Sequence, residues 1–310
     1  MSTAVVAGVG LEEMAAAAGA EGPVAPVGGQ TAWALGGPPP GDEVRLVRAP
    51  VGVVEHVPAE MTVRVGAGTT VADLHAVLAE AGQTTVLPDG PGAPGATVGG
   101  VLAVGRDGLG RLGRGRLRDA LLEARYVSAE GRVVKAGGPT VKNVSGYDLC
   151  RLLVGSLGTL GLLGEVVLRT RPVPACSRWF AGEAADPSAV RAALYRPAAV
   201  CWDGATTWVW LEGHEADVDA EGVVLAGLGL AVVDGPPAVP PHRRACAGED
   251  LTGVPGPFLA ELGVGVVHGD EPAPLPELPA PVVDLARRIK EAFDPTGRLN
   301  PGRDPLAVVR

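Results

Sequence analysis

Histidine, lysine and cysteine are scarce in this chain, and their scarcity removes several kinds of chemistry. The 310 residues include only four cysteines, Cys150, Cys176, Cys201 and Cys246, none in a CxxC pair, so neither a zinc site nor an iron–sulfur cluster has its ligands here. Any such cluster must belong to another chain. Five histidines stand apart from one another, which leaves no paired-histidine metal centre. No apolar run approaches the ~20 residues that span a bilayer, and Met1-Ser2-Thr3-Ala4-Val5 lacks the basic start of a secretory leader. The expected location is the cytoplasm. Excess positive charge is missing as well: a net charge of -9 and a pI near 5.1 offer nucleic acid or an anionic membrane no basic surface. A local exception is Arg106, Arg111, Arg114, Arg116 and Arg118, clustered between glycines. That segment reads either as a solvated loop or as a surface for an anionic cofactor or partner.

What remains is an ordered, loop-rich chain. At 46% hydrophobic and 20% charged it can bury a large core and divide into two domains, while 46 glycines and 29 prolines call for many turns. A helix is expected over Leu11 to Ala18, ending at Gly19. The preceding Gly8-Val9-Gly10 resembles a dinucleotide turn, but Glu13 stands where the third glycine is required. Short β-rich pieces follow at 44–47, 51–54 and 62–65. The period then changes: Thr70 caps a helix over 71–81 with Leu74, Val77, Leu78 and Ala81 on one stripe, Gly82 stops it, and 84–87 reads as the next strand. Glu130-Gly131 between 121–127 and 132–136 signals a hairpin, 149–154 a short helix, and 165–170 a buried strand. Arg171-Pro172-Val173-Pro174 breaks the chain. Residues 175–270 hold four of the five tryptophans and little clean periodicity. A helix returns over 281–293, with Val282, Leu285, Ile289 and Phe293 on its apolar face.

Three glycine-rich segments carry the chemistry. They are Pro26-Val27-Gly28-Gly29-Gln30-Thr31, Gly95-Ala96-Thr97-Val98-Gly99-Gly100 and Gly155-Ser156-Leu157-Gly158-Thr159-Leu160-Gly161. Each lets backbone N–H groups approach an anion, because glycine admits positive φ and has no side chain to hold a phosphate away. The middle segment opens into Val101 to Val104 and so places its amides at a helix start. Singly, each also reads as an ordinary tight turn.

Their order is more specific. Leu87-Pro88-Asp89-Gly90, the Ala96-to-Gly100 turn, Arg118-Asp119, the box Lys142-Asn143-Val144-Ser145-Gly146-Tyr147-Asp148 and the Gly155-to-Gly161 loop follow one another as in the vanillyl-alcohol oxidase/p-cresol methylhydroxylase (PCMH-type) FAD-binding family. The 142–148 box most resembles the FAD-binding subunits of bacterial glycolate oxidase, and Phe293-Asp294-Pro295-Thr296-Gly297-Arg298-Leu299-Asn300-Pro301-Gly302 resembles the C-terminal signature of these flavoproteins. The resemblance covers 24–174 and 281–303 and hardly touches the middle.

The resemblance implies an α+β chain: a two-part PCMH-type FAD-binding domain over 1–174, a smaller α+β cap or substrate-side domain over 175–280, and a C-terminal helix and tail, 281–310, returning to the first. It implies FAD with its pyrophosphate against Gly28, Gly29, Gln30 and Thr31 and against Ala96, Thr97, Val98, Gly99 and Gly100. The adenine end or ribityl chain would lie near Gly155, Ser156, Gly158, Thr159 and Gly161 and the Glu165-Val166 backbone, with Pro88 and Asp119 in the same groove. Thr97 and Ser156 read either as hydroxyls capping their own turns or as partners of phosphate or ribityl oxygen. Lys142 reads as a loop charge or a ligand contact, and Tyr147 as contact or core. Two departures stand out. The first loop is Val-Gly-Gly-Gln-Thr where the family has a longer glycine run, which lowers the expected affinity, and no histidine or cysteine stands in the flavin-facing loops, so non-covalent FAD is expected.

A flavin accepts a hydride while the protein orients substrate and supplies a base. His268, in His268-Gly269-Asp270, is the best-placed candidate base, although a surface-turn histidine is the plainer reading. Related catalytic subunits carry a paired-histidine metal site absent here. The expectation is therefore an FAD subunit of a glycolate or other 2-hydroxy acid oxidase or dehydrogenase, working with a sister flavoprotein and an iron–sulfur subunit and meeting the inner membrane only through them. Open alternatives are a self-sufficient FAD oxidase or dehydrogenase of another alcohol or amine, and a non-catalytic subunit with a decayed flavin site. An enolpyruvyl reductase of cell-wall synthesis is a weaker option, since no proton-donating serine and glutamate pair is evident.

Overall fold

The change of period at residue 70 marks the first turn that positions the site. In the computed structural model, which describes residues 10–88, 94–139, 148–183, 185–246, 256–272 and 277–309, Thr70 Oγ1 accepts from the Asp73 amide and starts the helix Val71–Ala79. Leu74 and Leu78 on its inner stripe are wholly buried. Each such leucine contributes about 1.5–3 kcal/mol relative to an exposed one. The helix Leu11–Ala18 ends at Gly19, as its pattern predicts, with Gly19 at φ 58°.

Contacts divide the described residues into two compact units. The first draws on 1–107, 116–173 and 277–308. Its main sheet is antiparallel throughout, in the order Val53–Val57, Thr62–Gly66, Leu162–Arg169, Leu121–Val127, Val133–Gly137. The Glu130-Gly131 turn does close the predicted hairpin, with Val127 opposite Val133. Glu123, fully buried on the sheet, gathers Arg64 at 2.7 Å, Lys135 at 3.1 Å and Arg125 at 3.5 Å. Buried Leu74, Leu78, Leu102 and Leu168 form the main core, with Ile289 and Phe293 packed on it. The predicted apolar stripe of the helix Ala280–Phe293 is thus only half used: Val282 and Leu285 are exposed.

A second pair of strands, Val24–Pro26 beside Arg45–Val47, is parallel. The 298–300 segment joins it: Val24 bridges Leu299 in parallel, the Asn300 amide donates to the Val24 carbonyl at 2.7 Å, and the Val24 amide to that of Arg298 at 2.9 Å. The expected strand over 84–87 is shorter than its β-rich sequence suggests. Only Gln83–Thr84 pairs, with Arg171–Pro172, and Thr85 Oγ1 accepts from the Leu87 amide at 3.1 Å, which turns the chain out of extension.

The second unit draws on 108–115 and 174–276. It is built on a seven-stranded antiparallel sheet, in the order Ala231–Val233, Cys176–Glu183, Thr206–Gly213, Ala199–Trp202, Phe258–Glu261, Val266–Gly269, His242–Ala245. One face packs Phe180, Val200, Val209 and Leu211 against the helices Pro187–Ala193 and Glu215–Gly227 through Val190, Val218 and Leu225. The other carries Trp179, Trp208 and Trp210 around Ala199, Cys201 and Leu259.

Candidate functional site

All three glycine-rich segments reach one cavity of about 510 Å³ in the first unit. Gly28, Gly29, Gln30, Thr31, Pro88, Ala96, Thr97, Gly99, Gly100, Ser156, Gly158 and Gly161 all line it. Glycine is needed where the first two segments meet, since a Cβ on Gly28 would fall 2.4 Å from Thr97 Oγ1.

The segments differ in what they offer a ligand. In the second, the Val98 amide donates to the Thr69 carbonyl, that of Gly99 to Ala67, and that of Gly100 to Thr97 Oγ1. Thr97 therefore caps the helix Val98–Val104, and its amides are taken. In the third, Gly155 donates to Leu102, Leu157 to Ala103 and Thr159 to Ser156, while Ser156 Oγ donates to Leu153 and accepts from Gly158. The hydroxyls of Thr97 and Ser156 thus serve their own turns. In the first segment, by contrast, the N–H groups of Gly28, Gly29, Gln30 and Thr31 have no protein partner among the described residues. Gln30 adopts φ 58°, the left-handed conformation that recurs in backbone nests for anions.

Other expected residues lie off the wall. Val98 is wholly buried, as is Val166 on its central strand. Glu165 faces Arg125 at 3.5 Å, Asp119 pairs with Arg151 at 2.7 Å, and the Thr159 hydroxyl donates to the Ser156 carbonyl. Gly155 spaces its loop from Gly105 without reaching the cavity. Asp89, Gly90 and 142–147 of the Lys-Asn-Val-Ser-Gly-Tyr-Asp box lie outside the described residues. His268 belongs to the second unit, where its Nε2 is 2.7 Å from Glu261 Oε1 and both side chains are buried on the sheet rather than in a surface turn.

Three further wall residues, Trp33, Asn300 and Arg303, were given no role by the sequence, and a fourth, Arg106, was read only as one of an arginine cluster that could meet an anionic cofactor. Trp33 and Asn300 each carry a buried polar atom with no partner among the described residues, the indole Nε1 and the amide Oδ1. Asn300 is held by its Nδ2, which donates to the Leu157 carbonyl, at a left-handed φ of 44°. Arg106 and Arg303 add two cations, and no aspartate or glutamate lines the cavity among the described residues. Burial pushes the Arg303 guanidinium below its ordinary pKa, and it donates to the carbonyls of Leu35 and Gly37. The wall thus combines unpaired amides, two guanidiniums and one orphan donor and acceptor, a set suited to an extended anionic ligand with a polar ring edge.

Residues 11–137 match the family of FAD binding domains. This chain carries a PCMH-type FAD-binding domain. The ligand of such a domain is FAD, and the donor set just described fits a dinucleotide diphosphate. Over 193 residues the chain is 35% identical to glycolate oxidase subunit GlcE of Escherichia coli (strain K12), covering 60% of this chain and 55% of that protein. It is 41% identical over 107 residues to D-lactate dehydrogenase of Archaeoglobus fulgidus, covering 34% and 24%, and 41% identical over 78 residues to glycolate oxidase subunit GlcD of Bacillus subtilis (strain 168), covering 25% and 17%. The matched stretch is thus about half of the first relative and about a quarter or less of the others. An alkyldihydroxyacetonephosphate synthase structure superposes with TM-score 0.68 over 95% of this chain and 75% of that one, at 15% identity, which establishes the fold alone. The FAD-binding domain is therefore one related to glycolate oxidase subunits and D-lactate dehydrogenases. Among the described residues no helix is long and apolar enough to cross a membrane.

Proposed function

We propose that this chain is the FAD-binding subunit of a 2-hydroxy acid oxidase or dehydrogenase, glycolate being the first substrate to test, and that it passes electrons to an iron–sulfur partner. The observation that carries this reading is the run of four amides, Gly28 to Thr31, without a partner among the described residues, on a cavity whose described wall has two arginines and no carboxylate. These amides would hold the diphosphate, with Arg106 and Arg303 balancing its charge. Trp33 Nε1 and Asn300 Oδ1 would take a ring edge that offers one acceptor and one donor. The bound flavin would supply hydride acceptance from the carbon bearing the substrate hydroxyl.

The hydroxy acid comes from the relatives' names, glycolate oxidase and D-lactate dehydrogenase, and the partner from the lack of cluster ligands in this sequence. His268 stays a proposed base, oriented by Glu261. The visible spectrum of the purified protein, followed by anaerobic addition of glycolate or lactate, tests the reading. The expectation is a flavin spectrum released on denaturation and bleached by one of these acids when the partner subunits are present. A colourless protein, or a flavin that neither acid bleaches in the assembled complex, would reject it.

A further inference from the structure

Among the described residues, four that are not glycine adopt a left-handed φ: Gln30, Met61, Leu157 and Asn300. All but Met61 line the cavity. This conformation is costly for a residue with a side chain and persists only where the surroundings hold it, most often at ligand clamps. Leu157, at φ 53°, and Asn300, at φ 44°, are joined directly, because Asn300 Nδ2 donates to the Leu157 carbonyl. A second tie lies beside that bond. Lys290 Nζ donates to the Thr159 carbonyl at 2.8 Å, to the Leu299 carbonyl at 3.2 Å and to Asp294 Oδ2 at 2.6 Å, so all three of its donors are engaged.

The three bonds have distinct effects. Thr159 follows Leu157 by two residues and Leu299 precedes Asn300 by one, so the ammonium ties the two left-handed turns together beside the Leu157–Asn300 bond. Asp294, which also accepts from the amides of Arg298 and Leu299, fixes the ammonium at the end of its own helix. Because Nδ2 of Asn300 is spent on Leu157, Oδ1 is the atom of that amide left without a partner among the described residues. Lys290 itself is not on the cavity wall, so whatever it does to a bound ligand runs through the residues it holds.

We propose that Lys290 is a positioning residue for the flavin: its ammonium holds the Leu157–Asn300 pair in the strained arrangement that sets the Asn300 amide on the cavity wall before the cofactor binds. The inference rests on the reading of this cavity as the FAD site and not on any substrate. Without the staple, Leu157 is free to leave the left-handed region and only a fraction of molecules keeps the competent wall. The apparent affinity then falls by that fraction although no ligand contact has been removed.

Titration of the flavin-stripped full chain with FAD, followed by flavin fluorescence, tests the staple. Lys290→Met keeps an unbranched stem and removes the three donors, and should weaken FAD binding at least about fivefold. Lys290→Arg keeps the charge but replaces the compact ammonium with a planar fork; it should melt like the parent and still lose about threefold. Arg287→Met, on the exposed side of the same helix where Arg287 pairs with Asp284 and Glu291, should leave the affinity unchanged. A double-mutant cycle separates positioning from general loosening. If Lys290 acts through Asn300, adding Lys290→Met to Asn300→Gly should cost less than about twofold more. Unchanged affinity in a folded Lys290→Met protein, or in Lys290→Arg should the first not fold, would overturn the staple, as would losses that multiply in the double variant. A parent chain that takes up no FAD would reject the cavity as the flavin site and the staple with it, whereas FAD uptake by the parent with unchanged affinity in the lysine variants would reject the staple alone.

Discussion

Gly29 lies so close to Gly95 that a Cβ on Gly29 would come within 1.8 Å of the Gly95 carbonyl oxygen. The first two glycine-rich segments are in backbone contact, and any side chain at 29 must force them apart. Gly29→Ala should cost about 1–3 kcal/mol through overpacking, and should lower the flavin-to-protein absorbance ratio more than the thermal midpoint alone would explain. Full flavin occupancy in a folded Gly29→Ala protein would show that the contact does not shape the site.

Asn300 offers a more selective probe. Its φ of 44° suits glycine, so Asn300→Gly preserves the backbone while removing both the bond to the Leu157 carbonyl and the unpartnered Oδ1. FAD affinity measured by fluorescence quenching should fall about tenfold, a loss typical of one or two hydrogen bonds. An unchanged Kd would remove Asn300 from the cofactor contacts.

Arg298 is expected to matter for stability. Its guanidinium is buried and donates to the carbonyls of Ala18, Glu21, Gly22 and Ala129, which ties the C-terminal segment to the first helix and the hairpin. Arg298→Met should destabilise the first unit by about 2–4 kcal/mol, because these carbonyls lose a shared partner. Denaturant unfolding followed by far-ultraviolet circular dichroism measures it.

Asp294 predicts a pH dependence. Burial pushes its carboxyl up, but hydrogen bonds from Lys290 Nζ and the amides of Leu299 and Arg298, together with the Lys290 charge, outweigh burial and hold it below its ordinary value of 3.8. The folded state therefore binds its proton less readily than the unfolded chain. The stabilisation is present in full above pH ~4–5 and is lost as pH falls through the folded value. Asp294→Asn should cost about 1–3 kcal/mol at pH 7, and the gap to the parent protein should narrow as the pH is lowered below 3.8. A gap that stays constant into acid would show that the charge is irrelevant.

Local chemistry made much of the first unit legible. Thr70 and Gly82 bracket a helix, Glu130-Gly131 closes a hairpin, and Thr97 precedes a helix, because each signal acts within a few residues. The second unit's sheet was hidden by its own burial. In Thr206–Gly213 the inward Val209 and Leu211 alternate with Trp208 and Trp210, and both sets are apolar, so no polar alternation marks a strand. The cavity was legible as three loops but not as a division of labour. That the amides of Val98 and Gly99 are spent on Thr69 and Ala67, whereas those of Gly28 to Thr31 are not, depends on packing. Asn300 and Arg303 escaped notice for a related reason: their partners are Leu157, Leu35 and Gly37, far away in sequence.

The bridge from Val24 to Leu299 also sets a schedule for synthesis. A ribosome delivers Val24 before the second sheet and Leu299 after it, so the nascent chain holds the 24–47 pair without its third member while that sheet is made. Flavin capture is expected to wait until the 298–300 segment has been made. A version halted after residue 277 should emerge apo and prone to proteolysis near residue 30, where the chain that carries 278–310 resists.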